Sequence, residues 1–346
     1  MVGLKRMMVL ILTALMVILV SGCPGEADPV PDPVPPVPAE PQPVEGTFRV
    51  ALLVPSTVTD RGWSQIAYEA LLQIEEELGA EISYTETGNF RNKADVAARY
   101  AEEGYHLILG HGFQYSEPFL QVSPMYPETV FVTAGGEHVT ANQLVLENQL
   151  EQVTYVAGAI TARLTQTRKV ACVGGVEIPS VVKTFEAFRR GIHSVDPGVR
   201  VTITYLGSWD NLALGYEEGL RLIDEGNDVL YPNANALGLG VIKAADERGV
   251  YVFGQSVDQS DLSPDYMVAS MTEDHVTSYL KIARQVKEGT YEPGRRVQHG
   301  LAEGASVLVW NPRVLEKMPP EIPEMQRDLE ARIKAGGIYI PSETEI

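Results

Sequence analysis

The fold is decided by one stretch near the start of the folded part of the chain, Phe48-Arg-Val-Ala-Leu-Leu-Val-Pro-Ser-Thr-Val-Thr-Asp-Arg-Gly-Trp-Ser-Gln-Ile-Ala-Tyr-Glu-Ala-Leu-Leu72. Its apolar run Val50–Val54 predicts a strand that is buried on both faces. From Ser64 the apolar residues follow a helical spacing, with one side formed by Ile66, Ala70 and Ile74. The turn between strand and helix therefore lies at the carboxyl end of a buried strand, where open α/β sheets bind their ligands.

This turn contains three candidate ligand-binding residues, Asp60, Trp63 and Ser64. One interpretation of Trp63 is that its indole packs onto its own helix, because aromatic side chains often serve as core. The other is that the indole is exposed at the strand end and stacks on a flat ligand. Both interpretations are consistent with the local pattern.

Residues 1–22 have the pattern of a secretion signal. Lys5 and Arg6 precede the apolar segment Met7–Val20, which is too short for a comfortable membrane span, and small residues lead to Cys23. The pattern is typical of a bacterial lipoprotein signal that is cleaved before Cys23, whose thiol then carries the lipid. An uncleaved membrane anchor is the alternative, and in both cases the body of the protein lies outside the cytoplasmic membrane.

Residues 23–45 form a proline-rich linker. Proline recurs at every second or third position between Pro24 and Pro43, so the segment favours an extended polyproline conformation and cannot form a core. We interpret it as a semi-rigid spacer between the membrane and a folded region that starts near Gly46. The remaining chain of about 300 residues is long enough for two lobes of ordinary size.

Charge and cysteine content exclude several classes of partner. The formal net charge is −19 at pH 7, which makes nucleic acid and anionic headgroups poor partners. With Cys23 assigned to lipid, Cys172 is alone in an apolar run and is predicted to be a buried thiol. The histidines are scattered singly, so we expect no metal site and no cofactor.

Strand-like and helix-like segments alternate from the first unit almost to the end of the chain. The strand-like runs are His106–Leu109, Val130–Thr133, Lys169–Val173, Val199–Tyr205, Asp228–Tyr231, Val250–Phe253 and Tyr266–Ser270. Helical periodicity is found at 92–103, 116–125, 149–165, 180–194, 213–225, 237–248 and 274–288. This alternation predicts parallel sheets wrapped by helices, and the number of units favours two doubly wound sheets, one in each of two lobes.

Three segments are candidates for crossings between the lobes, namely 135–146, 271–274 and 289–300. They predict an N-terminal lobe made of residues 46–147 and 273–292, and a C-terminal lobe made of residues 148–272 and 293–346. Two such lobes would enclose a ligand cleft lined by strand ends from both.

Aromatic and polar side chains recur at the predicted strand ends. The first lobe adds Phe113, which follows two glycines, and the second lobe contributes Glu177, Trp209, Asn233, Asn235, Ser256 and Asp258. Each has a structural alternative: Phe113 can pack in a tight turn, the asparagines can cap the next helix, and Asp258 can cap a turn. As a set they suit a planar, uncharged solute that forms hydrogen bonds.

The sequence offers no recognisable catalytic constellation. It contains no Gly-x-Ser-x-Gly elbow, no His-Glu-x-x-His, no phosphate-binding loop and no carboxylate pair whose position can be fixed. We therefore predict a binding protein and not an enzyme. A hydrolase or transferase acting on nucleosides is the rival, and turnover of inosine or adenosine by the purified protein would support it.

The chain resembles the basic membrane protein (BMP, PnrA-like) family of lipoprotein substrate-binding proteins that serve ABC importers. The resemblance runs from about Arg49 to about Ser306 and is carried by Asp60–Ser64, Gly110–Phe113, Gln152–Gly158, Val173–Pro179, Gly207–Trp209, Gly238–Ala245 and Gly249–Gln259. It implies an α/β type 1 periplasmic-binding-protein fold with three hinge crossings. It also implies a purine base or nucleoside as ligand, stacked on Trp63, Phe113 and Trp209, and an ABC permease with its ATPase as partners of a monomeric receptor.

One departure from the family pattern concerns the sugar. Nucleoside-binding members carry Gly-Val-Asp-Ser-Asp-Gln, whose first aspartate holds the ribose hydroxyls, whereas this chain has Gly254-Gln-Ser-Val-Asp-Gln259. Ser256 cannot supply the carboxylate that a vicinal diol prefers, although Asp258 persists. A free base such as adenine is therefore favoured over a nucleoside. A sugar or small signalling molecule as ligand, or a receptor that reports to a membrane kinase, are the alternatives within the same fold.

Overall fold

The computed structural model describes residues 41–60, 62–88 and 92–341. The predicted signal sequence, most of the linker and the predicted lipidation site Cys23 lie outside the described residues. None of the helices in the described ranges is long and apolar enough to span a bilayer.

Strands and helices alternate along the described part of the chain, as predicted. In order, they are β1 (Arg49–Val54), α1 (Trp63–Leu78), β2 (Glu81–Glu86), α2 (Lys93–Glu102), β3 (Leu107–Gly110), α3 (Ser116–Val122), β4 (Val130–Ala134), β5 (Gln143–Asn148), α4 (Leu150–Leu164), β6 (Lys169–Gly174), α5 (Pro179–Val195), β7 (Arg200–Tyr205), α6 (Leu212–Asp224), β8 (Val229–Asn233), α7 (Ala236–Arg248), β9 (Tyr251–Ser256), β10 (Met267–Glu273), α8 (His275–Glu288), β11 (Arg296–His299), β12 (Ser306–Trp310), α9 (Pro312–Leu315) and α10 (Glu321–Lys334). Short 3-10 helices lie at Phe113–Tyr115, Ser123–Met125 and Ser260–Leu262.

The strands form two six-stranded sheets, which confirms the predicted fold class. The first has the order β2-β1-β3-β4-β5-β11 and is parallel throughout. The second has the order β7-β6-β8-β9-β10-β12 and is parallel except for β12, which runs antiparallel to β10. In each sheet the first strand along the chain lies next to one edge, and the second strand forms that edge. The chain then returns past the first strand, and the later strands are added on its other side. A crevice therefore opens between β1 and β3 and between β6 and β8.

The opening strand and helix have the environment that their patterns predict. All of Val50–Val54 is buried, and α1 buries Ile66, Ala70 and Ile74 against the first sheet. The same core includes α8, which follows a strand of the second sheet but packs on α1. In the second lobe, the predicted buried thiol of Cys172 lies in the core.

The chain crosses between the sheets three times, as predicted. It leaves β5 for α4 at residues 148–150, leaves β10 for α8 at 273–275, and leaves β11 for β12 between 299 and 306. The predicted crossover at 135–146 contains most of β5, which is a full member of the first sheet.

One predicted lobe boundary is corrected by the strand pairing. The sequence predicts that residues 293–346 belong to the C-terminal lobe, but β11 pairs with β5 in the first sheet. The chain therefore returns to the second sheet only after His299. The guanidinium of Arg296 anchors β11 there, because it donates to the Glu147 carboxylate and to the carbonyl of Gly136. A strand of only four residues with polar side chains gives no apolar run that could predict it.

Candidate functional site

The switch point of the first sheet brings together the ends of β1 and β3. The turn after β1 carries Asp60 and leads to Trp63 and Ser64 at the start of α1, and β3 ends at Gly110 and is followed by His111 and Gly112. These strands are neighbours in the sheet, so the two loops meet above the crevice at their carboxyl ends.

Asp60 caps helix α1. One carboxylate oxygen accepts the amide hydrogens of Gly62 and Gln65 at 3.0 and 3.1 Å, and the other accepts that of Ser64 at 2.9 Å. These amides belong to the first turn of a helix, which has no internal acceptors for them, and its dipole favours a negative charge. The carboxylate of Asp60, which the sequence predicts to contact the ligand, therefore fixes the turn that leads to Trp63.

Ser64 is also used within the protein. Its side chain is fully buried, and its hydroxyl oxygen accepts the amide hydrogen of Ser56 at 3.2 Å. The bond ties the start of the turn to the first turn of α1. Together with the Asp60 cap, it holds the loop in one conformation.

Trp63 packs on the neighbouring strand end and against the core of the first lobe. Its indole lies 4.0 Å from the His111 ring, nearly parallel to it at 27°, and its Nε1–H donates to the His111 carbonyl at 3.1 Å. The imidazole of His275, from the crossing between β10 and α8, approaches edge-on at 5.2 Å and 86°. The indole is therefore held in position by one hydrogen bond and two rings.

One face of the Trp63 indole remains uncovered by any ring of the described residues. His111 covers the other face, and the His111 and His275 ring centres are only 4.7 Å apart. If His275 lay across the second face, the two imidazoles would be about twice as far apart, so His275 must lie beside the stacked pair. Trp63 is half-buried, so part of its indole is accessible.

His111 is buried completely behind Trp63. Its Nδ1 lies 2.7 Å from the hydroxyl of Tyr279, and its Nε2 has no partner among the described residues. Burial, followed by the proximity of His275, holds the pKa of His111 well below its ordinary value. The stack behind the indole is therefore a neutral imidazole at physiological pH.

Phe113 presents the second aromatic side chain of the first lobe. It begins the 3-10 helix after β3, and half of its surface is exposed. The glycine before it has φ of 141°, a conformation open to glycine and strained for other residues. Phe113 is thus projected outward from the strand end, and the alternative of a packed phenylalanine does not apply to it.

Three predicted residues of the second lobe lie around the ends of β6 and β8. A side chain added at Gly175 would come within 2.5 Å of the Trp209 indole, which shows that this indole packs directly on the backbone there. The amide of Gly175 donates to the carbonyl of Asn233 at 3.0 Å. Glu177 is exposed on the same loop. The pKa of Tyr205 is raised to about 12, mainly by burial of the phenol and next by the negative charge of Glu177.

The two asparagines differ in their environment. Asn233 is buried, and its side chain donates to the hydroxyl of Thr184 at 3.0 Å. Asn235 is exposed at the start of α7 and forms no capping hydrogen bond through its side chain. The capping role that is usual for asparagine is therefore absent here, and the Asn235 amide is available to solvent or ligand.

Ser256 and Asp258 form a tight turn after β9. Ser256 has φ of 67°, and the amide of Val257 donates to the carbonyl of Gln255 at 2.9 Å around it. Asp258 accepts from the amide and hydroxyl of Ser260 at 3.0 and 2.6 Å, so it caps the following 3-10 helix. Asp258 therefore has the turn-capping role that was its structural alternative. Ser256 remains at the end of the strand.

The sequence did not single out two residues beside Trp63, namely His111 and His275. His111 was visible inside the strand-end glycines, and His275 follows a predicted crossing, but neither position indicated a contact with Trp63. Trp63 and His275 lie far apart in the chain, and only the fold brings them together. No group of three or more His, Cys, Asp or Glu within the described ranges is placed to hold a metal ion.

Comparison with known proteins gives a consistent result. The model of the family described as ABC transporter substrate-binding protein PnrA-like matches residues 47–344. The chain is 26% identical over 295 residues to a purine-binding protein of Brucella abortus, covering 84% of this chain and 82% of the relative. It is also 26% identical over 303 residues to a putative ABC transporter glucose-binding protein of Haloferax volcanii, covering 86% and 77%. A solute-binding protein of an ABC transporter system from Aeropyrum pernix has a similar fold, with a TM-score of 0.74, 21% identity, and coverage of 86% and 94%.

Proposed function

This chain belongs to the family of PnrA-like ABC transporter substrate-binding proteins, and from that membership we propose that it captures a purine base or a nucleoside-like compound between its two lobes. The family consists of solute-binding proteins, so the chain is not an enzyme. We propose further that it works outside the cytoplasmic membrane as a monomer, held there by a lipid on Cys23.

The proposed mechanism is closure of the lobes about the three crossings. A ligand that contacts strand ends of both lobes stabilises the closed state, because the open state offers it only one set of contacts. Closure also excludes water, which strengthens the polar contacts. An ABC permease with its ATPase would then recognise the closed pair of lobes.

The observation that carries the proposal is the half-exposed indole of Trp63, which is stacked on His111. The indole is fixed by its hydrogen bond to the His111 carbonyl and backed by a neutral imidazole, so it needs little ordering when a flat ligand stacks on it. Stacking of a base on an aromatic side chain contributes about 1–3 kcal/mol. The purine-binding relative from Brucella abortus supports the same ligand class.

Replacement of this indole tests the proposal. We expect Trp63→Leu to weaken adenine binding, measured by isothermal titration calorimetry, by about tenfold or more, because the stacking energy is lost. Trp310→Leu is the matched control, since Trp310 is a half-buried tryptophan at the far edge of the second sheet. It should leave adenine affinity unchanged. Equal affinity of Trp63→Leu and the unaltered protein would refute the stacking role.

A sugar is the second candidate ligand. It is favoured by the glucose-binding name of the Haloferax volcanii relative. A calorimetric titration with glucose and galactose separates the two candidates. Saturable binding of either sugar, together with no heat from any purine, would favour the sugar.

A further inference from the structure

Each of the three crossings changes lobe at a single residue. The residue on one side of it pairs or packs in the first lobe, and the residue on the other side belongs to the second sheet or its core. The first-lobe neighbours are Asn148, His275 and His299, and the second-lobe neighbours are Leu150, Glu273 and Leu301. The residues between them are Gln149, Asp274 and Gly300, and we call them the junction residues.

The junction residues of the first and third crossings lie against each other. A Cβ atom added at Gly300 would lie 2.8 Å from Oε1 of Gln149 and 2.5 Å from Oε1 of Gln152. These two carboxamides are bonded to each other, because Nε2 of Gln152 donates to Oε1 of Gln149 at 2.9 Å. The junction residues of the first and second crossings share a backbone conformation, with φ of −77° and ψ of 66° at Gln149 and φ of −87° and ψ of 82° at Asp274.

The backbone hydrogen bonds between crossings stay on one side of the junction residues. On the first-lobe side, the amide of Gln149 donates to the carbonyl of His299 at 2.7 Å. On the second-lobe side, the amide of Asp274 donates to the carbonyl of Ala305 at 2.8 Å. A rotation about the junction residues would keep both bonds intact, so these bonds do not fix the angle between the lobes.

Two carboxylates of the second lobe reach across a junction residue. Oε2 of Glu303 accepts the amide hydrogen of Gly300 at 2.8 Å, and this amide lies before the Gly300 Cα, on the first-lobe side. Oε2 of Glu273 lies 3.2 Å from Nε2 of His275, which is on the far side of Asp274. Rotation at Gly300 or Asp274 would therefore change these two distances.

We propose that the carboxylates of Glu273 and Glu303 are latches that hold the two lobes at one angle, and that the three junction residues are the pivots of closure. Hinges are commonly a few residues that absorb the change in φ and ψ, and hydrogen bonds to a charged acceptor are among the strong ones. The contacts of a ligand must outweigh these bonds before the angle can change. This inference goes beyond the proposed function, because it concerns the motion itself and holds for any ligand.

The test measures the angle through the distances between two nitroxide labels, one on each lobe, by double electron–electron resonance without ligand. Glu117 in the first lobe and Glu217 in the second are exposed, so the labels are attached through Glu117→Cys and Glu217→Cys in a Cys23→Ser background. The remaining thiol, Cys172, is buried and does not compete for the label. The protein with both latches should give one narrow peak of distances.

Removal of the exposed latch should release the third crossing. We expect Glu303→Ala to broaden or split the peak, with the population at other lobe angles rising about three- to tenfold relative to the original one. Glu303→Gln keeps an acceptor oxygen for the Gly300 amide and should give the original peak. Glu86→Ala is the matched control, because Glu86 is an exposed glutamate that accepts the amide hydrogen of Val58 at 3.0 Å within the first lobe.

The buried latch should act in the same direction at the second crossing. Glu273→Ala should broaden the peak, whereas Glu273→Gln should retain it, because the glutamine oxygen can still accept from His275. In the double variant with Glu303→Ala, the two fold-changes in population should multiply, since separate contacts oppose one motion.

The conservative variants separate a latch from a general effect on stability. Broadening in Glu303→Ala that is absent from Glu303→Gln and Glu86→Ala supports the assignment. A peak that either alanine variant leaves unchanged would overturn the role of that glutamate. Equal broadening in Glu86→Ala, or a peak that is already as broad with both latches present, would overturn the proposal as a whole. Because no ligand is added, the result does not depend on whether adenine binds.

Discussion

At the scale of single residues, Ser256 combines an unusual backbone with a functional position. Its φ of 67° lies in the left-handed region, which costs a non-glycine residue on the order of 1–2 kcal/mol. Gln255 is held beside it, since its amide donates to the side chain of Gln259 at 3.0 Å. The surrounding turn therefore maintains a strained serine at the position where nucleoside-binding members of the resembled family have an aspartate.

We predict that Ser256→Asp increases the affinity for adenosine relative to adenine by about tenfold, because a carboxylate at this strand end can accept both ribose hydroxyls. The fold should tolerate the change, since aspartate adopts positive φ more readily than most residues. Titration calorimetry with both ligands measures the ratio. An unchanged ratio in a folded variant would show that the ribose does not reach this turn.

The roles of individual residues were only partly predictable from sequence. The chain pattern placed Asp60, Trp63 and Asp258 at strand ends, but it did not say which of them cap local structure. The caps depend on bonds to residues at most five positions away, as for Asp60 and Gln65, and are in principle readable from the sequence. The contact of Trp63 with His275 depends on the tertiary fold and has no local signal.

At the scale of elements, close helix packing explains one of the two glycines of α7. A side chain at Gly240 would lie 2.1 Å from the carbonyl oxygen of Leu212 in α6, whereas one at Gly238 would meet nothing closer than 3.6 Å. The two glycines are separated only by Leu239 in the same helix. The structure assigns the packing role to Gly240 alone.

We predict that Gly240→Ala lowers the free energy of unfolding by at least about 1–3 kcal/mol, because α6 and α7 must move apart. Gly238→Ala, two residues away in the same helix, should be neutral or stabilising by about 0.5–1 kcal/mol. Urea denaturation of both variants checks this pair. Similar losses in both would contradict the close contact.

The crossings are tied together on the first-lobe side by one hydrogen-bond chain. Nδ1 of His299 lies 2.9 Å from the hydroxyl of Ser278, which donates to Oδ1 of Asn148 at 3.0 Å. All three side chains are buried and come from β11, α8 and β5, one for each crossing. The chain fixes where the three hinge segments leave the first lobe.

We expect Ser278→Ala to destabilise the protein by about 1–3 kcal/mol, since His299 and Asn148 would lose their shared partner in a buried site. Denaturant unfolding gives the value. Ser194→Ala is a control, because Ser194 is exposed and its hydroxyl bonds within helix α5, to the carbonyl of Gly191 at 2.7 Å. A loss no larger than that of the control would show that the chain does not stabilise the hinge.

Three of the strands that the sequence missed, β2, β5 and β11, have no long apolar run. β2 is a half-exposed edge strand and β11 is short, so neither produces an apolar run. β5 is entirely buried but has polar residues at its ends, with Gln143 donating to the carbonyl of Ser116 at 2.9 Å. Hydrophobic patterning finds strands that bury apolar side chains, and it fails where buried polar groups are satisfied by tertiary hydrogen bonds.

At the scale of the whole molecule, buried histidines link stability to pH. Burial lowers the pKa of both His111 and His299, with a further contribution from His275 and from Lys281 respectively. The unfolded chain therefore binds protons below about pH 6.5 that the folded chain does not. The stability should be unaffected by these groups above that pH and should fall as the pH decreases through it.

We predict that each of these histidines contributes a slope of up to about 1.4 kcal/mol per pH unit below pH 6.5. Urea unfolding between pH 7.5 and 5.5 measures the slope. His299→Gln should reduce it, because glutamine can still donate to Ser278 but does not titrate. A free energy of unfolding that stays constant over this range would contradict the neutral, buried state of both histidines.

The two-lobed architecture was predictable as a whole because it depends on the repeated alternation of strands and helices, and not on any single element. The placement of the last crossing and the approach of His275 to Trp63 were not, because both follow from contacts between distant segments. The central claim concerns this architecture: a purine is held between the lobes and stacks on the exposed part of the Trp63 indole.

The most direct test is a thermal-shift measurement of the purified protein with adenine, adenosine, glucose and galactose. Adenine should raise the melting temperature, with a stabilisation of about 2.7 kcal/mol at a hundred times its dissociation constant, and the sugars should not. Trp63→Leu should lose the shift at the same adenine concentration. A melting temperature that no purine or nucleoside changes would contradict the account.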